Sequence, residues 1–231
     1  MVLLDWVNLP GGDFRSNAWG VSGDGSVVVG DSVSDLNPSF GLEEAFRWTE
    51  ADGMIGLGTL TGEGSSKAHA ISANGLVIVG IGRDSNEPFR WTEGSGMVGL
   101  GHLFPGSVRG VATAVSANGT VIVGFEDISD IPEVREAFIW ENSLGLRSIK
   151  DLLMSDLGLD LTGWTLTKAN GISADGLTIA GSGINPSGNR EAWIARLDAT
   201  QPLPAPSTLY LFGAGLAGFA AAWRWRTRKQ H

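Results

Sequence analysis

Short apolar runs separated by polar, glycine-bearing turns dominate the chain from residue 18 to residue 197. Val27-Val28-Val29, Val77-Ile78-Val79, Val121-Ile122-Val123 and Thr178-Ile179-Ala180 are β-branched and largely apolar in consecutive positions, as in strands buried on both faces. An Asp-Gly or Asn-Gly pair precedes each: Asp24-Gly25, Asn74-Gly75, Asn118-Gly119 and Asp175-Gly176. Such a pair between two apolar runs predicts a hairpin with a type I′ turn, because Asn, Asp and Gly best tolerate positive φ. A third strand alternates with period two, in Glu44-Ala45-Phe46-Arg47-Trp48, Glu87-Pro88-Phe89-Arg90-Trp91, Glu136-Ala137-Phe138-Ile139-Trp140 and Glu191-Ala192-Trp193-Ile194-Ala195. A glycine turn and a fourth strand follow, in Met54–Leu60 and Met97–Leu103.

These elements recur as one unit. Aligned segments start at Ala18, Ala68, Ala112 and Ala169, spaced by 50, 44 and 57 residues, near the period of propeller blades. The expected fold is therefore all-β, a β-propeller of about four four-stranded blades in residues 1–198. The fourth unit lacks a fourth strand, and Leu3–Leu9 at the N-terminus aligns with the segments ending in Leu60 and Leu103. Closure of the ring by that N-terminal strand is expected. The alternative is half of a larger ring, completed by a second copy or by further sequence. Between units three and four, apolar residues at 149, 152, 153 and 157 predict a short helix.

The pattern changes after Asp198. Residues 199–206 are a proline-rich linker, and Ser207–Trp223 is a 17-residue run without charge, the short limit for a transmembrane helix. Leu209, Leu211, Phe212, Leu216, Phe219 and Trp223 are its anchoring residues. Arg224, Arg226, Arg228 and Lys229, in residues 224–231, are the basic stop expected to stay cytoplasmic, with the propeller across the inner membrane. That basic cap argues against a buried core helix. Met1–Asp5 has neither a basic nor an apolar segment of a signal peptide, so an upstream segment is expected.

Composition narrows the chemistry. There are 34 Gly, no Cys and three His among 231 residues, which excludes thiolate chemistry and leaves little for a histidine metal site. All 25 acidic residues precede residue 201, and the net charge is −9; such a body repels phosphate backbones, so nucleic acid is not an expected partner. Glu44, Glu87, Glu136 and Glu191 recur once per blade. They are candidates for a cation or sugar site, but acceptors for neighbouring turns are the favoured reading. His69 and His102 have no ligand-like spacing. Glu126–Asp130 lacks the calcium-loop pattern and is expected to be a solvated loop. Trp19, without an aromatic counterpart in the other units, is a candidate sugar-stacking residue. No catalytic, metal or cofactor set emerges, and a non-enzymatic chain is expected.

The repeats, with their A-x-x-[IV]-S-x-[DN]-G-x-x-[IV]-x-G pattern over residues 1–197, resemble the HAF family of extracellular repeats. The tail resembles a PEP-CTERM sorting signal through Pro204, Ala205, Pro206, Ser207 and Thr208, the apolar run and the Arg cluster. It departs from that pattern at Ala205, where the family has Glu. The resemblance implies export, processing by an exosortase-type enzyme and a binding or scaffolding role with exopolysaccharide in a biofilm. Two rivals stand beside this: a glycan-active propeller enzyme with two acids about 5 to 9.5 Å apart, and a membrane-anchored subunit of an envelope assembly.

Overall fold

The structure, a computed structural model, describes Leu9 and residues 15–34, 42–62, 64–129 and 134–197. Blade 1 is β1 (Ser16–Val21), β2 (Val27–Val33), β3 (Glu43–Thr49) and β4 (Gly53–Gly56). Blade 2 is β5 (Ser66–Ile71), β6 (Ile78–Gly82), β7 (Glu87–Thr92) and β8 (Gly96–Gly99). Blade 3 is β9 (Arg109–Val115), β10 (Val121–Asp127), β11 (Arg135–Glu141) and β12 (Gly145–Ser148), and α1 (Ile149–Ser155) follows it. Blade 4 has three strands, β13 (Thr165–Ile172), β14 (Thr178–Ile184) and β15 (Arg190–Arg196). Each sheet is an antiparallel meander. The fourth strands are shorter than the sequence suggests, because β4 and β8 end at Gly56 and Gly99.

The hairpin turns differ from the type I′ expectation. Gly25, Gly75, Gly119 and Gly176 have φ between 74° and 79°, but the preceding Asp or Asn does not. In blade 1 the Gly25 N–H donates to Ser22 O at 3.0 Å, and Ser22 and Val27 close the loop behind it. The Asp24 carboxylate accepts from the Ser26 N–H and the Ser22 hydroxyl, and Ser22 Oγ accepts from the Val27 N–H. The same set recurs at Ser72/Asn74, Ser116/Asn118 and Ser173/Asp175. Side-chain acceptance, not positive φ, is thus what selects Ser and Asp or Asn here.

A bulge explains the last glycine of the repeat. The β9–β10 register shifts between Val123 and Gly124. This pushes the Val111 carbonyl against Gly124, while the Phe138 ring covers it from the other strand, 2.6 Å from where a Cβ would sit. Gly30 and Gly181 meet the same crowding from Asn17 and Phe46, and from Lys168 and Trp193.

Blades pack face to face at three interfaces, each filled by apolar side chains. One joins blades 1 and 2 through Val29, Ala45, Ala68 and Phe89; another joins 2 and 3 through Val79, Ala112 and Phe138. The third joins blades 3 and 4 and takes in Ile149, Leu152 and Leu153 of α1. Backbone bonds link successive hairpin turns in the same sense: Gly23 N–H to Ala73 O, Asn74 N–H to Ala117 O, and Ala117 N–H to Ala174 O.

No comparable packing joins β1 to β13–β15 among the described residues. Equivalent positions report this directly. Ala68, Ala112 and Ala169 are fully buried, whereas Ala18 of blade 1 is exposed. Val29, Val79 and Val123 are fully buried, whereas Ala180 of blade 4 is exposed. Among the described residues the blades therefore make three interfaces in an open arc. Leu9 sits on blade 1 with its N–H on Ser32 Oγ at 3.3 Å, as Leu103 sits on blade 3 with its N–H on Glu126. The rest of the expected N-terminal strand lies outside the described residues.

Among the described residues no helix is long and apolar enough to cross a membrane. The linker, the span 207–223, the sorting residues 204–208 and the basic stop lie outside the described residues.

Candidate functional site: a cationic channel at the hub

The four repeated glutamates do not converge. Glu44 in β3 reaches over Gly56 and accepts the Gly58 N–H at 2.8 Å; Glu87 in β7 reaches over Gly99 and accepts the Gly101 N–H at 2.6 Å. Gly56 and Gly99 are glycines because the carboxylate occupies the place of a Cβ. In blade 3, Ser148 stands where the others have glycine, and its hydroxyl donates to Glu136 at 2.5 Å. Glu191, in the blade without a fourth strand, accepts from the Asn185 amide at 2.9 Å. Each glutamate ties down its own blade, and none of the four shares a partner with another. Burial raises the Glu136 carboxyl above the ordinary range, partly offset by the Ser148 hydrogen bond.

The acidic segment at 126–130 is likewise not a solvated loop at its start. Glu126 is fully buried, accepting from His102 Nδ1 at 2.6 Å and from the Leu103 N–H at 2.7 Å. This cross-tie holds the end of blade 2 on blade 3. Asp127 takes both Arg109 and Arg135.

What does converge is the set of inner strands. Trp19 (β1), Lys67 and His69 (β5), Arg109 and Thr113 (β9) and Lys168 (β13) line one cavity of about 370 Å³ at the hub of the arc, within the range of small-molecule sites. Phe125 forms part of its wall, with Lys168 Nζ 4.9 Å, Arg135 Cζ 5.0 Å and Arg109 Cζ 5.9 Å from its ring centroid. Lys67 is paired with Glu43 at 2.6 Å and Asp31 at 3.5 Å, and Arg83 approaches Glu43 at 4.0 Å. Among the described residues Lys168 has no carboxylate within ion-pair distance, only the face of Phe125. Lys67, Arg83, Arg109, Arg135 and Lys168 thus outnumber Asp31, Glu43 and Asp127. A positive channel is set into an acidic molecule.

Two further features shape the walls. His69 is depressed below its usual pKa by burial, against the raising effect of its hydrogen bond to the Ala112 carbonyl at 3.2 Å. A carbonyl only accepts, so Nδ1 carries the proton. Thr113 Oγ1 donates to Ala169 O at 2.6 Å, the same inner-strand link one blade further on. Trp19 is 56% exposed yet fixed, because its Nε1–H donates to the fully buried Asp31, which also holds Asn17 and Lys67. The sequence singled out Trp19. It did not single out Lys168, Lys67, Arg109 or Asp31, which sit at variable repeat positions and meet only when the inner strands line one channel. Among the described residues no group of three or more acidic or histidine side chains is arranged to hold a metal.

No family model and no curated protein matches this chain. Solved structures do. TolB from Acinetobacter baumannii superposes with a TM-score of 0.51 at 11% identity, over 80% of this chain and 42% of its own. A prolyl endopeptidase superposes with a TM-score of 0.51 at 12% identity, over 80% of this chain and 27% of its own. An oligogalacturonate lyase in complex with manganese gives 0.49 at 13% identity, over 79% and 50%. At such identity the likeness is one of fold: the chain is all-β and propeller-like. It spans less than two thirds of the length of these neighbours. The expectation of a non-enzymatic chain is corrected here, because a prolyl endopeptidase, an enzyme, is among the structures that share this fold. This fold carries catalysis as well as binding.

Proposed function

We propose that the protein is an exported surface or matrix propeller that binds exopolysaccharide in its hub channel. The observation that carries this reading is Trp19, a large aromatic face open to solvent at the channel mouth and held by a buried carboxylate. Holding the ring in advance lowers the ordering cost of binding. Its apolar face suits the C–H face of a pyranose ring, while polar groups around it reach hydroxyls. Co-sedimentation of the full chain, in mild detergent, with exopolysaccharide from the producing cells tests the reading. Trp19→Ala is expected to reduce the bound fraction about tenfold; equal binding by the variant refutes the role of the channel.

Delivery is the second half of the proposal. The three-part layout of residues 203–231 supports membrane targeting at the inner membrane and recognition at Pro204–Thr208 by an exosortase-type enzyme. The intact mass of protein recovered from cell fractions decides it. Loss of the mass beyond Pro206 is the expected result, whereas an intact C-terminus in membranes identifies a propeller that keeps its anchor.

A further inference from the structure

We infer that the hub channel is built for an acidic polysaccharide, with Lys168 receiving a sugar carboxylate while Trp19 carries the ring. The inference rests on the reading of the channel as a polysaccharide site and adds the charge class of the sugar. Lys168 reaches the channel from β13, with its ammonium 4.9 Å from the centre of Phe125. Arg109 and Arg135 crowd the same ring, but Asp127 neutralises both. Lys67 is spent in the same way on Glu43 and Asp31. Of these four cations Lys168 alone has no carboxylate within ion-pair distance, among the described residues. An ammonium whose protein contact is one aromatic face retains the capacity for charge-assisted hydrogen bonds to a carboxylate.

The surroundings select the rest of the ligand. Neighbouring cations exceed carboxylates in a concave site, which focuses the field on an incoming anion. Half-buried His69, whose pKa is lowered by burial, offers hydrogen bonding to the Ala112 carbonyl and little added charge. A neutral glucan would leave Lys168 unpaired on binding, at the cost of desolvating an ammonium. A uronic-acid polymer offers one carboxylate per ring, beside a ring face suited to Trp19.

Binding of a polygalacturonate oligomer and of dextran to the full chain in detergent, measured by calorimetry, tests this. The expected result is tighter binding of polygalacturonate that weakens with added salt. Lys168→Ala is expected to lower that affinity about tenfold or more, with Lys168→Arg restoring most of it, while dextran binding is not weakened. Three results overturn the inference: dextran bound as tightly as polygalacturonate, Lys168→Ala without effect, or a DNA oligonucleotide competing as well as the uronate. Dextran bound alone removes the acidic preference and leaves a polysaccharide site standing. Neither sugar bound removes both.

Discussion

At the scale of single residues, carboxylates do structural work that their regular spacing disguises. Glu136 is half-buried with its pKa raised chiefly by burial. A carboxyl with a raised native pKa is protonated more readily in the folded state, so stability falls as pH rises from the ordinary Glu range through the raised value. Glu136→Gln is expected to remove this fall: thermal unfolding of the wild type and variant should differ more at pH 7 than at pH 4, with the variant gaining on the wild type at the higher pH. Trp193 offers a second case. It replaces the Phe of the other blades and buries its Nε1 without a hydrogen-bond partner. An orphaned buried donor costs about 1–3 kcal/mol, which offsets what the larger ring gains in contact. Trp193→Phe is therefore expected to leave the unfolding free energy from urea melts within about 1 kcal/mol of the wild type, whereas Phe138→Ala should cost roughly 3–5 kcal/mol.

Elements are set by crowding at their crossing points. Gly124 lies between the bulged carbonyl of Val111 and the Phe138 ring, so Gly124→Ala is expected to destabilise by about 1–3 kcal/mol. Gly94, in the turn between β7 and β8, has open space around it and no positive φ. Gly94→Ala should be neutral or gain up to about 1 kcal/mol through the unfolded state. Denaturant melts of the two variants separate a glycine required by packing from one that is not. Strand order, the three-stranded fourth blade and the helix after blade 3 were all legible in the sequence. The turn type was not: the Asx-type hydrogen bonds of Asp24 and its equivalents fix the hairpins with positive φ at the glycine alone, not at both central residues as a type I′ turn needs.

On the scale of the whole molecule, the decisive feature is that, among the described residues, the blades make three interfaces and not four. Identical repeat positions have opposite environments at the ends of the arc and inside it. Ala137 of blade 3 is fully buried, while its counterpart Ala192 of blade 4 is exposed. Ala137→Asp is expected to cost about 3–5 kcal/mol by burying an unpaired charge, and Ala192→Asp less than about 1 kcal/mol. Equal losses in thermal melts would mean that blade 4 is covered in solution. The hub channel is lined by inner strands from all four blades.

The sequence by itself determined the repeat, the four strands of a blade, the three-strand remainder and the helix, because each follows from local periodicity and turn chemistry repeated four times. It also singled out Trp19 as the residue that breaks the repeat. Tertiary structure decided the rest. Whether Glu44 and its equivalents meet one another, whether the ring closes, and which cation lacks a carboxylate all depend on how blades are set against each other. Lys168 is an unremarkable residue of an inner strand until Phe125 of the preceding blade lies beneath it. Local pattern fixes what a blade is; only the packing of one blade on the next brings charges from distant segments to a common centre.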